Sequence, residues 1–265
     1  MKWALLSRVV RERWRGLAGW SGGLITLVAV QVSVYPTIRD SREGWADLTE
    51  QFPEAFRQMF RIEDYTSPTG YLTTELFSFM VPLIFIGLAT TWGARAGAEE
   101  EENGTADVLL SLPVSRSAIL STRLSGMVMT MVWLAATCVV ALSIGTAVVD
   151  MPVGIAAMTQ ASVVCGILGT TFGSVSLLAA CWTGRRGVGL GAGLGLAIAM
   201  FVLYSLAPLV SAFDALLPVN PFQWTIGQSP LIEGIDWWYA ALSLLVAGSM
   251  SAIAFVGYRQ RDLRV

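Results

Sequence analysis

The chain of 265 residues has no histidine, three cysteines and only 14% charged residues, and each shortage excludes something. Without histidine, a metal site would fall to cysteines and carboxylates. Cys138, Cys165 and Cys181 instead stand apart inside apolar runs with no carboxylate beside them, so we read them as small core residues and expect no metal. Three such cysteines also give no disulfide framework. There is no Gly-x-x-x-x-Gly-Lys-Ser/Thr phosphate loop, and the glycine clusters lie within apolar runs where they cannot cradle a phosphate. No nucleotide site, catalytic residue or cofactor is therefore expected in this chain, and no nucleic-acid partner. No ionisable residue falls near the middle of any long apolar run, which counts against a stand-alone carrier driven by protons or sodium. Such carriers keep costly buried charges to bind the coupling ion.

Apolar sequence is what the chain has in excess. Hydrophobic residues make up 54% of it, and the mean hydropathy of +0.62 suits a protein that crosses the membrane several times. A crossing helix needs about 20 apolar residues. Six runs meet that need: 17–38, 72–92, 119–149, 153–182, 188–211 and 237–258. They lack the two-residue alternation of barrel strands, so the expected fold is all-α, a polytopic bundle of six transmembrane helices. Thirteen of the 17 Lys and Arg residues fall on one side of these runs, which the positive-inside rule makes cytoplasmic, with both termini on that side. The other four, Arg39, Arg42, Arg57 and Arg61, lie in the loop 39–71, and a second outer loop covers 212–236. Aromatic and aliphatic residues at steps of three or four predict an amphipathic helix in 39–71. The same spacing from Trp3 to Leu17, beside Arg8, Arg11 and Arg15, predicts an interfacial helix over 2–16.

Between the second and third runs lies a charged island, 95–118. It begins with Arg95, passes through Glu99, Glu100, Glu101, Glu102, Asn103, Gly104 and Thr105, and ends in Leu109-Leu110-Ser111-Leu112-Pro113-Val114-Ser115-Arg116. Thr105 can cap a short helix with Asp107 in its first turn, and Pro113 stops it. Leu109 and Leu110 give that helix an apolar face suited to a groove on a partner, or to the lipid headgroups. Ser115 or Ser117 can cap the helix that follows. The run of four glutamates either steers a basic partner surface or is simply solvated.

These pieces, together with Asn220-Pro221-Phe222-Gln223-Trp224 before the last run and Tyr258-Arg259-Gln260-Arg261-Asp262-Leu263 after it, resemble permease subunits of ABC-2-type transporters, in particular bacterial antibiotic and polyketide exporters. The resemblance implies a cytoplasmic coupling helix within 95–118, with Glu99 to Glu102, Gly104, Thr105, Asp107, Leu109, Leu110, Pro113 and Arg116 meeting a separate ATPase. It implies two ATPase subunits per assembly, holding the ATP and Mg, a second permease subunit, identical or related, and a place in the bacterial plasma membrane. It also implies re-entrant helices in 212–236 and a subunit boundary near the first and fifth spans. Gly187, Gly191 and Gly195 are the candidate packing ladder there, with packing inside one subunit as the alternative. As path-lining groups we take Gln31, Ser33, Tyr35, Thr73, Thr74, Ser78, Thr90 and Tyr204. An uncharged path suits an amphiphilic or hydrophobic cargo such as an antibiotic, natural product or lipid-like molecule. A non-transporting scaffold or sensor partner of an ATPase would share the coupling loop.

Overall fold

Continuous apolar sequence with internally bonded backbone gives helices, and in the computed structural model six of them are long and apolar enough to cross a membrane. Residues 2–41, 44, 57, 65–102, 104 and 115–260 are described, and no strand occurs among them. The first span belongs to one helix, Lys2–Asp40. The interfacial helix expected at 2–16 is therefore not a separate element. No proline interrupts the chain before Pro36, and residues 2–16 keep their backbone in register with the span that follows. The amphipathic helix expected in 39–71 falls almost wholly outside the described residues.

The second span is built from three pieces: a short α-helix Pro68–Leu72, a π-turn Thr73–Phe77 and a long helix Met80–Glu102. Its Glu102 end runs ten residues past the expected limit. Ala94, Ala96 and Ala98 with the glutamates that follow are good helix formers, and no proline occurs between Pro82 and Pro113. The Glu99–Glu102 run is thus a helical extension, not a loop. The third span is Arg116–Val148, and Ser115 caps it as expected, its hydroxyl accepting from the Ala118 amide at 3.2 Å. The fourth is Ile155–Thr183, ended by Gly184 at φ 65°, a left-handed turn that suits glycine. The fifth is Arg186–Leu206 and the sixth Trp237–Gln260.

Packing sorts these helices into a centre and a rim. The fourth span touches the second, third, fifth and sixth, while the first packs mainly on the third. Of the most apolar stretch of each span, 61% is buried in the fourth and 56% in the second, but only 17% in the first and in the fifth. Small residues let the centre close. A Cβ at Gly173 would come within 2.9 Å of the Ala89 carbonyl oxygen, and one at Gly169 within 3.0 Å of that of Phe85, so the second and fourth helices meet backbone to backbone.

The orientation has a direct check, because Cys138, Cys165 and Cys181 are all buried and leave little background. A cysteine introduced as Ser41→Cys or Ser229→Cys should react with an impermeant thiol reagent on intact cells. Ser115→Cys and Thr183→Cys should react only after permeabilisation. Labelling of Ser115→Cys from outside would invert the topology and remove the coupling role of the 95–118 segment.

Candidate translocation path and coupling region

The π-turn shapes the Pro68 end of the second span. Ser67 caps the preceding helix by accepting from the Gly70 amide at 3.1 Å, with Pro68 at its first position. Five residues on, both the amide and the hydroxyl of Ser78 donate to the Thr73 carbonyl oxygen, each at 2.8 Å, which holds the wide turn. Such turns insert one residue and often mark functional positions. The turn carries Glu75. Its Oε1 accepts from the Tyr65 hydroxyl at 2.7 Å and its Oε2 from Gln31 Nε2 of the first span at 3.1 Å. The Tyr71 hydroxyl donates to the Gln31 carbonyl oxygen at 2.9 Å. The rings of Tyr35 and Tyr65 each lie 5.5 Å from that of Tyr71, forming a wall behind the carboxylate. Burial, reinforced by the hydrogen bond and charge of Glu75, pushes the Tyr65 hydroxyl well above its ordinary value, so it stays a donor.

Glu75 lies near one end of the 72–92 run, outside the mid-span stretch expected to lack ionisable residues, and puts a carboxylate beside a path expected to be uncharged. It lies within Pro68–Glu99, toward the Pro68 end of that segment. A hydropathy window dilutes one carboxylate among many apolar neighbours. The legible signal was the polar group Thr73-Thr74-Glu75 close after Tyr65 and Tyr71.

Of the expected lining residues, Gln31, Tyr35, Thr73, Thr74 and Ser78 gather around this turn. Thr73 is 6% exposed and its hydroxyl makes no hydrogen bond. Ser33 is exposed instead, donating to the Val30 carbonyl oxygen at 2.7 Å. Thr90 is fully buried at the seam of the second, fourth and fifth spans and donates to the Ile86 carbonyl oxygen at 2.7 Å. Tyr204 stacks on Phe222, with ring centroids 6.1 Å apart, in a separate cluster with Phe172 and Phe201. Thr90 is thus enclosed between helices, while Tyr204 keeps part of its surface exposed. Phe222 reaches its cluster because the 212–236 segment turns inward: Asn220 Nδ2 donates to the Met200 carbonyl oxygen, inside the fifth span, at 2.8 Å. The elements in this segment, where re-entrant helices were expected, are Ser211–Val219 and Ile226–Gln228 as 3-10 helices and Pro221–Trp224 as one α-turn. Pro218 and Pro221 bracket Asn220 and limit helix length. Toward the start of the first span a groove of ≈ 450 Å³ opens between the first and second spans, lined by Gly16, Gly19, Trp20, Gly23, Leu27 and Ile84.

In the coupling region the four glutamates do not share one role. Glu102 Oε1 accepts from the Arg186 amide at 2.7 Å, placing an anion on the positive end of the fifth span's helix. Glu99 and Glu101 are half-buried. The third span is tied to the same extension, since Arg123 Nη1 donates to the Ala96 carbonyl oxygen at 2.6 Å and Trp92 Nε1 to that of Arg123 at 3.0 Å. Arg116 is half-buried and Gly104 sits in a left-handed turn at φ 64°. Thr105, Asp107, Leu109, Leu110 and Pro113 lie outside the described residues, as does the side chain of Glu100.

The glycines of the fifth span separate by face. A Cβ at Gly189 would come within 2.8 Å of the Ser176 carbonyl oxygen, and one at Gly193 would collide with the Ser176 hydroxyl and lie 3.0 Å from Thr90 Cγ2. At Gly187, Gly191 and Gly195 no described atom lies within 4 Å. Ile198 and Val202 continue that open stripe and are 61% and 46% exposed. No curated protein gives a significant match to the chain. A family model, however, matches residues 3–263. That match spans every element described above, and the chain belongs to the family it describes, the ABC-2 family transporter proteins, membrane subunits of ABC transporters.

Proposed function

We propose that the chain is the permease half of an ATP-driven exporter in a bacterial plasma membrane. Two such subunits, identical or related, pair across their first and fifth spans, and two ATPase subunits dock beneath them. ATP and Mg act on the ATPases, whose closure moves the coupling segments and, through them, the spans as rigid bodies. The observation that carries this reading is the open face of the fifth span. Gly187, Gly191 and Gly195 repeat every four residues with no described neighbour, while the alternate glycines are filled by the same subunit. A smooth stripe of this kind lets a second helix approach closely and gain contacts that lipid cannot supply.

Glu102 and Arg123 support a coupling role, because they join the helical extension before the 105–114 segment to the third and fifth spans. The path would run along the face of the second span flanked by the first and fifth. The groove between the first and second spans is apolar, and Gln31 and Glu75 add polar groups farther along the same two spans, which suits an amphiphilic cargo that enters from the lipid.

Proteoliposomes holding the chain with an ABC ATPase encoded beside it should pump a fluorescent amphiphile when given ATP and Mg. Flux should stop when the ATPase carries a hydrolysis-dead substitution. A complex that assembles and hydrolyses ATP without moving any amphiphile tested would favour the scaffold class instead.

A further inference from the structure

Among the described residues Glu75 has no basic partner: its bonds come from Gln31 and Tyr65, and Arg39 of the first span pairs with Asp40 at 3.1 Å. Its two bonds come from neutral donors, a phenol and an amide. A carboxylate within a segment that crosses a membrane is costly and is kept for function. It is also only part-buried, so one side remains open to a ligand. The setting is built to hold it: the π-turn fixes the backbone, Tyr71 anchors Gln31, and Tyr71 packs against the rings of Tyr35 and Tyr65. Neutral donors can be exchanged, since breaking them frees no buried countercharge. A cation that arrives adds an opposite formal charge to the hydrogen bond, which neither neutral donor supplies.

We propose that Glu75, with Gln31 and Tyr65 as exchangeable partners, is a recognition site for an organic ammonium group at the outer end of the path. The ligand class is a cationic amphiphile with a primary amine, its tail along the apolar groove between the first and second spans and its ammonium on the carboxylate. This rests on the transport reading for the statement that the ligand is cargo. Because Gln31 lies on the first span and Glu75 on the second, an ammonium that takes over the carboxylate also releases the hydrogen bond between those two helices.

The test uses the full chain in lipid nanodiscs, titrated with n-dodecylamine at neutral pH and with n-dodecanol, each corrected against empty nanodiscs. The amine should bind saturably and roughly tenfold or more tighter than the alcohol. Glu75→Gln should abolish that preference, Glu75→Asp should keep part of it, and Gln31→Leu should keep or strengthen it. Equal binding of amine and alcohol to the unaltered chain would overturn the proposal with no variant needed, and so would an undiminished preference in Glu75→Gln. ATP-driven flux is read separately. If dodecylamine preference fails while neutral amphiphiles are still pumped, the site falls and the transport reading stands. Preference without flux leaves the site and removes the transport role.

Discussion

Gly193→Leu should leave almost no folded permease, while Gly191→Leu with Gly195→Leu should yield a stable subunit that no longer pairs. These residues share one helix and one chemistry, and only their faces differ. At Gly193 even a Cβ meets the Ser176 hydroxyl, Thr90 and the Phe172 carbonyl oxygen. A leucine there must push the fifth span away from the second and fourth together, an overpacking cost of about 3 kcal/mol or more. Fluorescence-detected size exclusion and thermal unfolding in detergent should show the loss. At Gly191 and Gly195 no described atom stands in the way, so the same added bulk leaves the subunit intact and acts on whatever covers that stripe. Disulfide crosslinking through Ile198→Cys in native membranes should be strong in the parent and drop several-fold in the double variant. Strong, unchanged crosslinking in the double variant, or none in the parent, would place the subunit boundary on another face.

Leu109→Asp with Leu110→Asp should abolish co-purification of the ATPase while membrane insertion and subunit melting stay unchanged. The expectation comes from the sequence: a short segment bounded by Thr105 and Pro113, with adjacent leucines suited to a partner's groove. Two carboxylates placed in an apolar groove cost several kcal/mol unless paired, enough to break an interface of this size. The described neighbours explain why the effect should stay local. The segment emerges between a helix tied down by Glu102 and Arg123 and one capped by Ser115, so its two ends are fixed independently of its contents. ATPase retained by the double variant would move the docking site to other cytoplasmic residues.

Hydropathy made the six crossings legible because each helix must fill a membrane with apolar side chains, a constraint that acts residue by residue. Ser115 was legible as a cap for a similar reason: the chemistry is local. Relations between helices were not. Gly189 and Gly193 differ from Gly191 and Gly195 only in what other helices bring beside them, and no spacing along one helix states that. The role of Glu75 is hidden in the sequence because its partners Gln31 and Tyr65 come from 44 residues and 10 residues away. The helical extension to Glu102 was read as a loop because charge was taken for irregularity. Charge there serves the fifth span, through the Arg186 amide.

The central fourth span sets a problem of timing. When it leaves the ribosome, the second and third spans are already in the membrane, but the fifth and sixth, which cover its remaining faces, have yet to be made. At ~5–20 residues per second the wait lasts several seconds. In that interval hydroxyl groups destined for the interior face lipid. Most do so without penalty, because they are already satisfied within their own helix: Ser162 donates to the Met158 carbonyl oxygen at 2.8 Å, Thr171 to Ile167 at 3.0 Å and Ser174 to Thr170 at 2.9 Å. The half-made bundle is thus tolerable in lipid, and the hub can stay in place until its last partners arrive.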